Sequence, residues 1–218
     1  MRCTECRDAL NRASRNLARD IEKAFPGCEC EQHSVGDGSP GPIDDQEILY
    51  RLFVDPVDVD EQGRLAREAF ATAYIDGLSI IRDCADDGDI EKLVSDILSR
   101  KKGEAPKTIR AIFKFDCLII RNEEAPLRAS TTRGFCIYDQ TVPRILHPKE
   151  KPVGTHGIVL SRRLIEPPMV RRQFENDCNV TLHRLISAQS VAVEDFRDGL
   201  IATLNARSLA GEFVRTAH

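Results

Sequence analysis

The chain has 218 residues, of which 41% are hydrophobic and 30% charged, and its formal net charge is −4. This length is enough to bury a core without disulfides, and the hydrophobic content excludes disorder and low complexity as descriptions of the whole chain. No apolar run approaches the roughly 18 residues of a membrane span, and the charged start lacks the apolar core of a secretory signal. We therefore expect a cytoplasmic protein without a membrane partner.

Loop-forming residues separate a short N-terminal segment from the rest of the chain. Residues 34–43 contain three Gly, two Pro and two Ser, a composition typical of a loop or linker. We predict a Cys-bearing helical segment over residues 1–33, a linker over 34–43 and a main domain over 44–218. Apolar residues three or four apart predict a helix over 7–25 within the first segment.

Apolar runs and helical spacings follow one another along the main domain. Strands are predicted over 48–54, 77–82, 134–138 and 156–160, with one long strand, or two joined by a bend, over 108–121. Helices are predicted over 64–74, 89–101, 169–188 and 191–207, and Asp87 or Asp89 is the expected N-cap of the second. Strands in the middle and helices at both ends favour an α+β fold, with a central, mostly antiparallel sheet flanked by helices.

Half of the eight cysteines lie within the first thirty residues, namely Cys3, Cys6, Cys28 and Cys30. Two closely spaced thiol pairs are typical of a tetrahedral zinc site. The helix over 7–25 would be roughly 28 Å long, so the pairs meet only if the chain returns. The alternatives are zinc bound by these four, zinc bound by Cys3, Cys6, Cys30 and His33, or free thiols. Cys84, Cys117, Cys136 and Cys178 are expected to be small apolar residues.

Three short motifs carry candidate catalytic residues. Arg51 follows Tyr50 in a predicted strand, Ser79 lies at the start of the next strand, and His156 opens a late strand. Over residues 48–160 this layout resembles small bacterial ADP-ribosyltransferase-like domains. The resemblance implies that NAD is the cofactor, that Arg51 binds the dinucleotide phosphates and that Ser79 supports the nicotinamide. A guanidinium suits this role because it binds phosphate through two hydrogen bonds.

A structural interpretation of the same residues is the alternative. The family carries a Glu on a late strand, whereas residues 156–160 contain none and Glu166 comes after that strand. Arg51 is then a strand residue paired with a nearby acid, and Ser79 a turn residue. His147 and His156 are candidate general acids or bases because imidazole titrates near neutrality, but no associated nucleophile is visible in the sequence.

Charge is distributed unevenly along the chain. Residues 1–100 carry a net charge of −10, residues 101–172 carry +8 and residues 173–218 carry −2. The basic part includes a cationic stretch formed by Arg144, Lys149, Lys151, Arg162, Arg163, Arg171 and Arg172. Such a stretch suits a phosphate backbone or an acidic partner, unless the acidic half of the chain neutralises it. No interleaved aromatic residue or nucleic-acid-binding motif accompanies it.

The common catalytic signatures, such as the P-loop, the dinucleotide-binding glycine motif and the nucleophile elbow, are absent from the sequence. We therefore expect a non-catalytic interaction or accessory protein of a multi-protein bacterial system, which binds another protein through its Cys-bearing start or its cationic stretch. An NAD-using enzyme that resembles ADP-ribosyltransferases is the first alternative. A nucleic-acid-binding accessory protein is the second.

Overall fold

A computed structural model describes residues 10, 16–24, 31, 38–62, 64–123, 134–141, 146–161 and 168–215. The strands are β1 (Ile48–Asp55), β2 (Leu78–Arg82), β3 (Arg100–Lys101), β4 (Thr108–Asp116), β5 (Phe135–Asp139), β6 (His156–Ser161), β7 (Ser190–Val191) and β8 (Val214–Arg215). The helices are α1 (Leu17–Ala24), α2 (Asp87–Leu98), α3 (Cys117–Arg121), α4 (Pro168–Ile186) and α5 (Leu200–Leu209), with a 3-10 helix at Arg67–Tyr74.

The architecture is α+β, as predicted. Six strands form one sheet in the order β5-β6-β2-β1-β4-β7, and its neighbouring strands pair antiparallel. The short strands β3 and β8 form a separate parallel pair. Within the described part of the chain, no helix is both long enough and apolar enough to cross a membrane.

Helices cover both faces of the sheet because side chains alternate between the faces along each strand. Phe53 lies on one face, where its ring meets that of Phe70 in the 3-10 helix at a centroid distance of 5.2 Å and where α4 also packs. Leu52 lies on the opposite face, in a core shared with α2 and α5. Helix α1 covers β5 and β6 through Leu17 and Ile21.

The helix predicted over residues 89–101 is present as α2, which begins two residues earlier and ends three residues earlier. Its N-cap is Asp86, whose side chain accepts a hydrogen bond of 2.7 Å from the main-chain N–H of Asp89. The expectation that Asp87 or Asp89 is the cap was therefore wrong by one or more positions. Both residues lie in the first turn, where a negative charge is favourable beside the positive end of the helix dipole.

Two predicted elements end or begin elsewhere than expected. The strand over 108–121 stops at Asp116, and α3 follows it, with Cys117 and Ile120 buried three positions apart as on one side of a helix. The helix over 191–207 begins only at Leu200. Arg197, Asp198 and Gly199 precede it with φ angles of 49°, 53° and 84°, and these left-handed conformations interrupt a right-handed helix.

A buried arginine, Arg82, fastens the segment before β1 to the sheet. Its guanidinium donates two hydrogen bonds of 2.7 Å to Glu47, one of 2.8 Å to Asp139 and one of 2.6 Å to the Gly41 carbonyl. Burial opposes the charge of Arg82, but these two carboxylates raise its pKa. Residues 38–43 of the predicted linker thus pack against the main domain, and Ile43 is only 2% exposed.

A second buried arginine, Arg121, forms an ion pair with Glu31 at the outer edge of β5. It donates to Glu31 at 3.1 Å, to Asp45 at 2.6 Å and to the Ile137 carbonyl at 3.3 Å. Glu31 in turn accepts a hydrogen bond of 2.9 Å from the Ile137 N–H. An ion pair therefore satisfies the main-chain groups of Ile137 in place of another strand.

Candidate functional site

The predicted catalytic residue Arg51 lies in the sheet interior beside Ser79. Its Nη1 donates a hydrogen bond of 3.1 Å to the Ser79 main-chain carbonyl, and its Nη2 is 3.7 Å from Asp58 Oδ2. The guanidinium also stacks on the Phe53 ring at 5.0 Å. Burial lowers the pKa of Arg51, and Asp58 partly opposes this effect. Arg51 therefore binds the main chain of Ser79, and the serine hydroxyl takes no part in this contact.

The predicted catalytic residue His156 is buried on β6. Its Nδ1 lies 3.2 Å from the Gln140 carbonyl. Burial lowers the pKa of His156 to about 4, and the positive charge of Arg51 adds a smaller lowering effect. The imidazole is consequently neutral at pH 7, with its Nδ1–H donated to Gln140.

Arg51 and His156 lie on opposite faces of the sheet. His156 pairs with Ile81, which pairs with Tyr50 on the neighbouring strand. Residues paired in this way share a face, and Arg51, the next residue of β1, points to the other one. Ser79 precedes Ile81 by two residues on β2, so its side chain shares the face of His156, and Arg51 reaches only its main-chain carbonyl. The described structure therefore does not gather the three side chains in one cleft. The NAD-binding role of these residues stays a prediction.

The described residues of the cationic stretch do not form one patch. Lys149 and Lys151 are exposed in the loop before β6, whereas Arg172 is exposed on α4, after β6 has ended. Strand β6 has six residues and is roughly 20 Å long, so it separates the two groups. Arg144, Arg162 and Arg163 lie outside the described residues, as does the side chain of Arg171.

The predicted zinc ligands cannot be placed, because Cys3, Cys6, Cys28, Cys30 and His33 all lie outside the described residues. In the part of the chain that the structure describes, no group of three or more His, Cys, Asp or Glu residues could hold a metal ion. This statement does not extend to the cysteines above.

Three of the four solitary cysteines are buried and one is exposed. Cys117, Cys136 and Cys178 are at most 1% exposed, and burial raises the pKa of both Cys117 and Cys178 to about 12. Cys84 is exposed at the end of β2, because it lies in the turn between β2 and α2. The interpretation as a small apolar residue therefore suits Cys117, Cys136 and Cys178, whereas the Cys84 thiol is exposed to solvent.

A groove of about 770 Å³ lies along α2, and we call it the α2 groove. One wall is the side of α2 formed by positions 88, 91, 92 and 95, whose spacing puts them on one helical face. The other walls are residues 146–148 and 150, residue 207 of α5, and residues 212–215 around β8. Its volume falls within the range of roughly 300–1,000 Å³ that is typical of ligand sites.

Specific bonds hold the three walls together. The side chain of Asp96 accepts a hydrogen bond of 2.9 Å from the main-chain N–H of Leu146, which ties the loop to α2. Arg207 bridges α2 and the C-terminal wall, since it pairs with Glu91 at 2.5 Å and with Glu212 at 2.7 Å. These pairs are partly exposed, so each one stabilises the fold by at most about 1 kcal/mol, but together they neutralise the charge of Arg207.

Arg215 also lines the groove, but its guanidinium is bound by a neutral group. Its Nε and Nη2 donate hydrogen bonds of 3.0 and 2.8 Å to the hydroxyl of Ser99. That hydroxyl is buried and itself donates to the Asp96 carbonyl at 2.7 Å. Pairing of β8 with β3 fixes the main chain of Arg215 opposite Lys101. The guanidinium is therefore oriented by a neutral group.

Sequence reasoning missed the groove because its walls come from three separated segments. The spacing that predicts α2 identifies the buried face of the helix, but not what covers its other side. Lys149 and Lys151, which the cationic stretch did identify, flank residues of the loop wall. Nothing in the local sequence distinguishes Arg215 from any other arginine near the end of the chain.

Comparison with known proteins identifies no relative: no protein-family model, no curated protein and no solved structure matches this chain.

Proposed function

We propose that this protein is a non-catalytic interaction protein, an accessory component of a multi-protein bacterial system, and that it binds a segment of another protein in the α2 groove. The observation that carries the proposal is the groove itself, which combines an open cavity of ligand size with side chains from three elements. One of its walls is the loop from the cationic stretch that the sequence analysis associated with a partner.

The chemistry of the groove supports binding more than catalysis. Ser95 is the hydroxyl residue among the lining side chains, and it donates its proton to the Lys92 carbonyl at 2.9 Å within α2. His147 is 3.7 Å from Glu150, and no hydrogen bond joins it to Ser95 among the described residues. A nucleophile held against a general base, which covalent catalysis requires, is therefore missing from the described lining.

Site-specific photo-cross-linking in cells tests this proposal. We would place a benzophenone amino acid at position 92, in the wall of α2, and at position 64 as the control. Arg64 is 74% exposed on the connection between β1 and β2, outside the groove. We expect a discrete adduct from position 92 that position 64 does not give, and we expect Ser95→Trp to abolish it by filling the groove. Identical adducts at both positions, or none at position 92, contradict the proposal.

The NAD-using alternative has a separate test. If Arg51 binds the dinucleotide phosphates, NAD raises the melting temperature of the native protein and not that of Arg51→Ala. We expect no shift from NAD, because the guanidinium is only 12% exposed and already contacts Ser79, Asp58 and Phe53. A shift that depends on Arg51 would overturn the non-catalytic proposal.

We further propose that Cys3, Cys6, Cys28 and Cys30 bind one structural zinc ion. Support comes from Leu10 and Glu31, which are the described residues close in sequence to the first and the second cysteine pair. The Leu10 carbonyl accepts a hydrogen bond of 3.1 Å from the Gln140 side chain, and Glu31 binds the Ile137 N–H. Gln140 and Ile137 are three residues apart, roughly 10 Å, so the chain returns to the same strand between positions 10 and 31.

Metal analysis of protein purified without chelator tests the zinc proposal. We expect about one zinc per chain, because four thiolates complete a tetrahedral site, and we expect Cys30→Ser to lose it. Cys84→Ser is the matched control, since Cys84 is exposed and lies far along the sequence. Zinc well below one per chain, or equal zinc in both variants, contradicts the proposal.

A further inference from the structure

The identity of the groove's occupant follows from which of its charges are already neutralised. Arg207 is paired with Glu91 and Glu212, and Lys92 is paired with Asp89 at 3.2 Å. Arg215, in contrast, forms no ion pair with any residue that the structure describes, and its guanidinium donates two hydrogen bonds to the hydroxyl of Ser99. The groove thus presents one oriented guanidinium whose charge is not balanced by a described neighbour.

The geometry of Arg215 favours a carboxylate as its ligand. Two of its five N–H groups are used by Ser99, which leaves the Nη1 side of the guanidinium available for a bidentate contact. Because Ser99 is fully buried and fixed by its own bond to Asp96, the guanidinium is held in one orientation before the ligand arrives. Preorganisation of this kind lowers the entropic cost of binding.

The surroundings of Arg215 add two requirements on the ligand. Lys149 and Lys151 are exposed on either side of Glu150, whose carboxylate lies 3.7 Å from the imidazole of His147. This part of the loop therefore carries an excess of positive charge, which favours a negatively charged ligand. Leu146, Pro148 and Val214 also line the groove and are partly or fully exposed. An apolar side chain next to a carboxylate would cover them, whereas a free inorganic anion would not.

On the basis of the proposed function, we infer that the occupant of the α2 groove is an acidic, extended segment of a partner protein. One carboxylate of that segment binds Arg215, and a neighbouring apolar side chain packs on Leu146, Pro148 and Val214. Further acidic residues of the segment face Lys149 and Lys151. The positive side chains at the rim and the apolar side chains in the lining together favour this ligand over a nucleic acid backbone, whose sugars and phosphates offer no comparable apolar side chain.

Fluorescence polarisation with defined peptides tests the inference on the full chain. Three short labelled peptides would share Leu and Phe at alternate positions and carry Glu, Lys or Ser at the others. We expect the Glu peptide to bind most tightly, with an affinity that falls as salt rises. Arg215→Gln should weaken its binding roughly tenfold or more, because a charged hydrogen-bonded contact is lost.

Two matched variants separate position from charge. Lys23→Gln removes one exposed positive charge from α1 and should leave binding of the Glu peptide unchanged. Arg215→Lys keeps the charge but loses the two-bond geometry, and it should bind more weakly than the native protein. Equal binding of the Glu and Lys peptides, or equal loss in Lys23→Gln and Arg215→Gln, overturns the inference, as does tighter binding of a labelled DNA duplex.

The interaction function and the acidic nature of the ligand are tested by different results. If position 92 cross-links a partner in cells but the Glu peptide shows no preference, the interaction function stands and the acidic ligand is wrong. If position 92 gives no specific adduct, the interaction function itself is contradicted. Circular dichroism of each Arg215 variant shows whether the fold is intact, so that a loss of binding is assigned to the guanidinium.

Discussion

His156 separates a catalytic from a structural role for the residues that the sequence singles out. It is buried and neutral, with Nδ1 bonded to the Gln140 carbonyl. In the unfolded chain its pKa is about 6.5, whereas in the folded protein burial lowers the pKa to about 4. Below pH 6.5 the unfolded state therefore binds a proton at His156 that the folded state does not bind. The free energy of unfolding is unaffected by this residue well above pH 6.5, and it decreases as the pH falls from 6.5 towards 4.

The size of this effect follows from the two pKa values. The complete difference corresponds to about 3 kcal/mol once the pH is below both values. At pH 5 the linkage relation gives a loss of about 2 kcal/mol from this one side chain, and at pH 7 the loss is close to zero. The variant His156→Asn keeps an amide donor near the position of Nδ1 but cannot take up the proton.

Urea unfolding at pH 7 and pH 5, followed by circular dichroism, measures the effect. Between these pH values the native protein should lose about 2 kcal/mol more than His156→Asn. Ionisation of the carboxyl groups contributes to both proteins and cancels in the comparison. His147→Asn is the control for loss of an imidazole at an exposed site, because His147 is 57% exposed. An equal pH dependence in the native protein and His156→Asn would refute the buried, neutral assignment.

Three further substitutions test the fold around the site by chemical denaturation. Arg121→Met should lower the free energy of unfolding by about 3–5 kcal/mol, because Glu31, which is 1% exposed, then keeps an uncompensated buried charge. A decrease of less than about 1 kcal/mol would contradict this role of the ion pair. Asn205→Leu should lower the free energy of unfolding by about 2 kcal/mol, since the Asn205 amide makes two hydrogen bonds of 2.7 and 2.9 Å to main-chain groups of β4. An unchanged denaturation midpoint would show that these two hydrogen bonds do not stabilise the fold. Gly157→Ala should lower the free energy of unfolding by about 1–3 kcal/mol, as a Cβ there would lie 2.7 Å from Ile43 Cδ1 and 3.1 Å from the Tyr138 carbonyl oxygen. An unchanged free energy of unfolding would contradict this close packing around residue 157.

The parts of the fold that depend on local pattern were predictable from the sequence. The apolar run of β1 and the helical spacing of α2 lead directly to their observed positions. The segment after Asp116 was not predictable in this way, because a short apolar run fits a strand or a helix equally well. In the folded chain Arg121 binds Glu31 and Asp45 from the end of α3, and such long-range bonds leave no local signal in the sequence.

The last predicted helix shows a related limit. Its apolar stripe correctly includes Phe196 and Leu204, which are both buried. The spacing alone does not show that the backbone turns left-handed at Arg197 and Asp198. Tyr50 packs on the Phe196 ring at a centroid distance of 5.0 Å, and Arg197 donates to the Asp83 carbonyl at 2.9 Å, so contacts with distant segments accompany the turn that the spacing does not reveal.

The candidate site was the least predictable feature. Arg51, Ser79 and His156 were chosen for their chemical character, but their burial and the faces of the sheet on which their side chains lie depend on the register of the strands. Arg215 drew no attention because its partner Ser99 is more than a hundred positions away. Lys149 and Lys151 were identified by charge, yet their separation from Arg172 depends on where β6 lies.

The most direct test of the groove as a docking site is an NMR titration of the ¹⁵N-labelled full chain with the Glu peptide. We predict that amide signals of residues 88–95, 146–150 and 212–215 shift together, and that the same signals stay still in Arg215→Gln. Shifts centred around Arg51 or Arg172, or no shifts at millimolar peptide, would contradict the proposal that this protein binds an acidic partner segment in the α2 groove.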